Sequence, residues 1–113
     1  METPLVKYFI LAFKKFADFN GRANKREFWW YFLASIIVSI VLGLISPNLS
    51  NLYALISLIP GLAIGARRLH DIGKGGWMQL VLLIPVIGII WLIVLWAQDG
   101  DPKKNKYGEP SRA

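Results

Sequence analysis

Two stretches of the chain carry no charged side chain, Phe28 to Ala66 with 39 residues and Gly75 to Gln98 with 24. A membrane-spanning helix needs about 20 mainly apolar residues, so the first stretch has room for two crossings and the second for one. The expected spans are 28–45, 52–66 and 77–97, with the second helix able to continue to 71. Ser46-Pro47-Asn48-Leu49-Ser50-Asn51 reads as a short polar turn, and Pro60-Gly61 as an interruption of the second span. Ile72-Gly73-Lys74-Gly75-Gly76 is a glycine-rich break before the third. The pattern predicts an all-α integral membrane fold.

Ahead of the first span lies a different periodicity. Thr3-Pro4 is a helix start, and at 100° per residue Leu5, Phe9, Ala12, Phe13 and Phe16 share one face. Lys7, Lys14 and Asp18 share the opposite face, so 4–19 is expected to be an amphipathic helix. Such a helix lies in the membrane interface or packs its aromatic face on the spans. Tyr8 to Phe13 is too short, between Lys7 and Lys14, for a cleavable signal. Asn24 with Glu27 resembles a capping box. Trp29, Trp30, Trp77 and Trp96 stand where interfacial anchors belong. From Asp99 onward, 99–113 is a polar tail.

Composition agrees with this map. The 113 residues make one small domain, 55% hydrophobic and 18% charged. Thirteen Lys and Arg against seven Asp and Glu leave a net charge of +6, all of it outside the two apolar stretches. That places the surplus beside the bilayer, where anionic lipids attract each Lys or Arg by about 1 kcal/mol. Anionic membrane lipids are the expected partner, and nucleic acid is not. Without Cys and with one His, no disulfide, thiolate or multi-histidine metal site is available. No cofactor is expected. Six Lys and Arg precede residue 28 and three lie between 67 and 75; with three crossings these nine face four in the tail. The asymmetry favours a cytoplasmic N-terminus; three crossings would leave a basic tail outside, an uncomfortable arrangement, so the count does not fix the side of the tail.

Three blocks carry a resemblance: Gly21-Arg22-Ala23-Asn24-Lys25-Arg26-Glu27-Phe28-Trp29, Arg67-Arg68-Leu69-His70-Asp71-Ile72-Gly73-Lys74-Gly75-Gly76-Trp77, and Asn105-Lys106-Tyr107-Gly108-Glu109-Pro110. Together they are similar to the small bacterial inner-membrane family called domain of unknown function 805. The chain departs from the family at Gly75, where Ser is usual. The resemblance implies a bacterial inner-membrane address and a multi-helix fold, and no activity.

Chemistry by spacing is sparse. His70 and Asp71 are adjacent, so they do not face each other on a helix and make no dyad. Arg67 and Asp71 are spaced i, i+4 and are expected to pair. Gly73, Gly75 and Gly76 around Lys74 match no phosphate-loop fingerprint. Neither apolar stretch holds an ionisable group of the kind an ion-coupled carrier places at depth. Ser35, Ser39 and Gly43 recur every fourth residue, and Gly61 and Gly65 form a second small-residue pair. These stripes are expected to join the first two spans to each other, with homo-oligomer contact as the alternative. The reading that follows is a non-enzymatic multi-pass protein. It contacts lipid headgroups or a membrane-protein partner through Arg22, Arg26, Arg67, Arg68, His70, Asp71 and Lys74. The alternative is an oligomeric small transport or channel component.

Overall fold

A computed structural model describes residues 3–113. Its helices are α1 (Pro4–Lys14), α2 (Lys25–Ile45), α3 (Pro47–Ile56), α4 (Leu58–Asp71), a 3₁₀ helix (Gly76–Leu83) and α5 (Ile87–Trp96). No strand occurs among the described residues.

The Thr3 hydroxyl accepts from the Val6 N–H at 3.3 Å, and Pro4 occupies the first helical turn of α1, where its missing N–H costs nothing. The helix ends at Lys14, short of the expected 19. Asp18 Oδ1 captures the Asn20 N–H at 3.0 Å and Gly21 turns the chain at φ +84°. Its aromatic face lies on α2, with the Phe9 and Phe13 rings 6.0 and 6.2 Å from Tyr31.

α2 begins where Asn24 Oδ1 accepts from the Glu27 N–H at 2.7 Å. Its 21 residues extend ~31 Å at 1.5 Å each, enough to cross a bilayer core. It is the one described helix that is long and apolar enough alone. The expected turn at 46–51 shrinks to one residue. Extended Ser46 caps the Asn48 N–H and Pro47 starts α3 at once. α3 and α4 form one apolar path bent by 48°. The break falls at Ser57, because Pro60 belongs to the first turn of α4 and excludes the helix that would precede it. At its other end α4 closes with Gly73 at φ +77°, whose N–H bonds His70 O while that of Lys74 bonds Leu69 O.

The expected third span, 77–97, is not one helix. The 3₁₀ helix runs ~16 Å and α5 ~15 Å, each about half a bilayer core, and they pack on one another as a hairpin. Pro85-Val86-Ile87 makes the reversal through an i to i+2 bond, Ile87 N–H to Pro85 O at 2.7 Å. Val86 sits at φ 65°, ψ −61°, a rare γ-turn geometry that strains a β-branched residue. Val86→Gly is expected to stabilise the protein by about 1 kcal/mol. It removes ~1–3 kcal/mol of strain against 0.5–1 kcal/mol of glycine entropy, and thermal unfolding in detergent measures the difference.

Burial is inverted relative to a water-soluble domain. Leu44 is 83% exposed and Leu83 81%, whereas Arg22, Glu27, Arg67, Arg68, His70 and Asp71 are buried. Nine consecutive residues, Ala63 to Asp71, are buried. The polar core therefore lies at the end of the fold where α2 begins and α4 finishes.

Candidate functional site

Because the hairpin returns, the tail reaches the loops before α2 and after α4, and the three polar blocks meet. Asp71 stands at their centre. Its Oδ1 accepts from Arg22 Nε at 2.9 Å and its Oδ2 from Arg68 Nη1 at 2.7 Å. Arg67, the partner expected from i, i+4 spacing, points elsewhere; Arg68, at i, i+3, and Arg22, from 49 residues away, take its place.

Arg22 places every N–H. Nη1 donates to Lys103 O at 2.8 Å and Gly108 O at 3.1 Å, and Nη2 to Asp71 O at 3.2 Å and to Asp101 O. Arg68 donates to Trp96 O at 2.9 Å, Ala23 O at 3.3 Å and Gln98 O. Two guanidiniums thus stitch five backbone segments together. Gly100 is required by this packing, since a Cβ there would fall on the Asp71 carboxylate.

Beside this centre is a second ion pair. Arg67 Nη1 donates to Glu27 Oε2 at 3.3 Å, and Ser111 Oγ donates to Glu27 Oε1 at 2.9 Å. Glu27 serves the tail and α4 rather than reaching back to Asn24 as a full capping box would. Arg67 Nε and Nη2 are buried with no protein partner among the described residues. Asn24 Nδ2 donates to Ala113 O at 3.0 Å.

The His70 ring is held on two sides. Its Nδ1 donates to Gly21 O at 2.9 Å, and its ring lies parallel to Tyr107, 3.9 Å apart at 3°. The tail also caps α4, whose last carbonyls need donors. Asn105 Nδ2 reaches His70 O at 2.9 Å and the Asp101 N–H reaches Asp71 O at 2.7 Å. At the rim, the Lys25 ammonium bonds Asp99 at 2.7 Å and holds that exposed carboxyl below its ordinary range.

Of the seven residues expected to form a basic cluster, five converge in this buried centre: Arg22, Arg67, Arg68, His70 and Asp71. Arg26 and Lys74 are exposed outside it. Among the described residues the centre's hydroxyl set against a carboxylate is Ser111 on Glu27, and that carboxylate is already engaged by Arg67. Apart from Arg67 Nε and Nη2, the centre's charged atoms are engaged by internal partners, so as folded it is a clasp. Tyr107, Asn105, Gly100, Glu27 and Ser111 belong to it and escape spacing arguments, although Asn105 and Tyr107 fall in the third sequence block.

The packing stripes divide. Ser35 Oγ and Tyr53 OH are 2.8 Å apart, and Gly43 faces Ser50, so the stripe on α2 meets α3. Ser39 and Gly61 line an open apolar cleft of about 470 Å³ between α2, α3 and α4. Gly65 packs tightly, with no room for a Cβ beside Gln79. Among the tryptophans, Trp29 and Trp30 are half-buried and Trp77 is exposed. Trp96 is a packing residue: its N–H donates to Gly65 O at 3.2 Å and its ring lies 4.8 Å from Phe28.

Comparison with known proteins adds an address and no reaction. Residues 16–109 match the family model described as protein of unknown function, DUF805. The inner membrane protein YhaI of Escherichia coli K12 is 34% identical over 110 residues, covering 91% of this chain and 93% of that protein. Inner membrane protein YhaH of the same strain is 33% identical over 112 residues, covering 89% and 93%. No solved structure matches.

Proposed function

The chain belongs to the DUF805 family, and on that premise we propose that it is a non-enzymatic, multi-pass inner-membrane protein that presents one basic face to anionic lipid headgroups. The observation that carries this reading is the return of α5, which brings the tail onto the loops at 20–27 and 71–76. All thirteen Lys and Arg lie outside the two uncharged stretches, and those of 22–26, 67–74 and 103–112 belong to the segments that meet at this end, which supports a cytoplasmic location for it. Lys7, Lys14, Arg26, Lys74, Lys103, Lys104, Lys106 and Arg112 are exposed, and these do the contacting. Arg22 and Arg68 shape the face from within.

In this topology α2 crosses, the bent pair α3 and α4 returns, and the 3₁₀ helix with α5 enters and leaves from the same side. With no native Cys, single substitutions report the sides cleanly. Lys15→Cys and Lys104→Cys are expected to react with an impermeant maleimide from the cytoplasmic side, and Asn48→Cys from the other. Opposite sides for 15 and 104 would overturn the topology. For the lipid contact, purified protein is expected to be recovered with anionic vesicles in preference to zwitterionic ones, less so at high salt. Equal recovery with both vesicle types rejects it.

A further inference from the structure

Between the end of α4 and the start of the 3₁₀ helix lies a second cavity, of about 430 Å³, which adjoins the apolar cleft along α2 through the shared residues Leu62 and Gln79. His70 and Gln79 are its polar lining, Leu62 and Ala66 belong to its α4 side, and Phe19, Trp77 and Leu80 are exposed at its edge. His70 is 8% exposed, and everything around its ring fixes how it meets this space. A carbonyl oxygen only accepts, so the bond from Nδ1 to Gly21 O puts the proton of the neutral imidazole on Nδ1. Nε2 is left as an acceptor. It has no hydrogen-bond partner among the described residues and lies beside Gly76, where an added Cβ would sit 3.5 Å away. Stacking on Tyr107 fixes the plane of the ring, and the bond to Gly21 O fixes which edge faces the cavity. Gln79 donates one amide N–H to Leu62 O at 3.0 Å, which leaves its second N–H as a donor and its Oε1 as an acceptor.

We propose that this cavity is a phospholipid site selecting headgroups that carry a hydrogen-bond donor, either the ammonium of ethanolamine or the hydroxyl of glycerol. The proposal rests on the membrane reading above and adds to it a defined place and a preference that charge does not supply. The acceptor Nε2 gives the preference. The aromatic and leucine edge, wide open to the surroundings, gives the amphiphile, because Trp77 and Leu80 are 73% and 65% exposed beside a polar floor. A free polar solute would gain nothing from that edge.

The test incubates the full chain in detergent with equal amounts of phosphatidylethanolamine, phosphatidylglycerol and phosphatidylcholine, and counts retained lipid by native mass spectrometry. Choline has no headgroup donor. One added hydrogen bond predicts retention of the first two about three- to tenfold above the third. His70→Asn keeps a donor for Gly21 O and removes the Nε2 acceptor, so the preference is expected to vanish. Leu80→Trp leaves the histidine intact and fills the cavity mouth, so retention of both donor lipids is expected to fall even if the first variant folds poorly. Equal retention of phosphatidylcholine overturns the site, as does a preference that survives both substitutions. Retention of phosphatidylglycerol alone, abolished by salt, also overturns it while leaving the basic-face reading in place. Failure of that reading shows separately, as equal recovery with anionic and zwitterionic vesicles.

Discussion

Asp71→Ala is expected to lower the detergent melting midpoint by at least ~10 °C, whereas Lys103→Ala leaves it nearly unchanged. Arg22 and Arg68 have wholly buried side chains, and Asp71 is the sole carboxylate paired with either among the described residues. Removing one member of a buried ion pair costs about 3–5 kcal/mol, chiefly because the remaining charge stays desolvated. Here two charges would be stranded. Lys103 differs in kind: its side chain is exposed, and only its carbonyl accepts from Arg22, a contact alanine keeps. A surface change of that sort is worth about 0.5 kcal/mol at most. Asp71→Asn should fall between, since an amide oxygen still accepts one guanidinium without neutralising it. Tryptophan fluorescence on heating separates the three, and equal midpoints for Asp71→Ala and Lys103→Ala would show the clasp to be dispensable.

Gly88→Val is the second large effect expected. A Cβ at this position would fall on the carbonyl oxygen of Val81, a backbone atom of the facing 3₁₀ helix that cannot swing aside. Overpacking of this kind costs about 1–3 kcal/mol or more, and the hairpin must spread to relieve it. Spreading displaces Trp96 and Gln98, whose carbonyls hold Arg68, and loosens the tail that follows. The Asp101 amide, bonded to Asp71 O at 2.7 Å, is the reporter. Its hydrogen exchange is expected to be slow in the parent and fast in the variant. Gly61→Ala provides the contrast. Nothing lies within 4 Å of a Cβ there, so a methyl group should be neutral or favourable by up to about 1 kcal/mol. Unchanged exchange at residue 101 in Gly88→Val would mean that α5 does not depend on this contact.

Local signals in the chain are legible where one residue decides the outcome. Thr3-Pro4 and Asn24 begin helices because a side-chain oxygen and a missing N–H act within one turn. The position of the bend was displaced by three residues, since a proline breaks the helix ahead of itself and Ser57 bears the break that Pro60 causes. Direction was not legible at all in 77–97. Hydropathy states that a segment is apolar, but the reversal depends on a strained Val86 and on the fit of Gly88 under Val81. In the proposed topology the tail then lies on the side of the N-terminus, where three crossings would put it opposite. Within the site, the residue types at 22, 67, 68, 70 and 71 stood out as a group. Their pairing did not, because Arg22 and Asp71 are joined across 49 positions and the tail contributes carbonyls, which no side-chain pattern records. Arg67 and Asp71 had the right interval; Asp71 was already taken up by Arg22 and Arg68.

The short return of the closing hairpin bears on how such a chain enters a membrane. In the proposed topology the only connection that has to be carried to the far side is the one between α2 and α3, around Ser46, Pro47 and Asn48, and it contains no ionisable group. In that topology each charged residue, including all four cations of the tail, would stay on the side where synthesis leaves it. Insertion then requires no translocation of charge, a step that is costly at the bilayer centre. The clasp can close only after the tail is made, because Asp101, Lys103 and Gly108 supply carbonyls that hold Arg22.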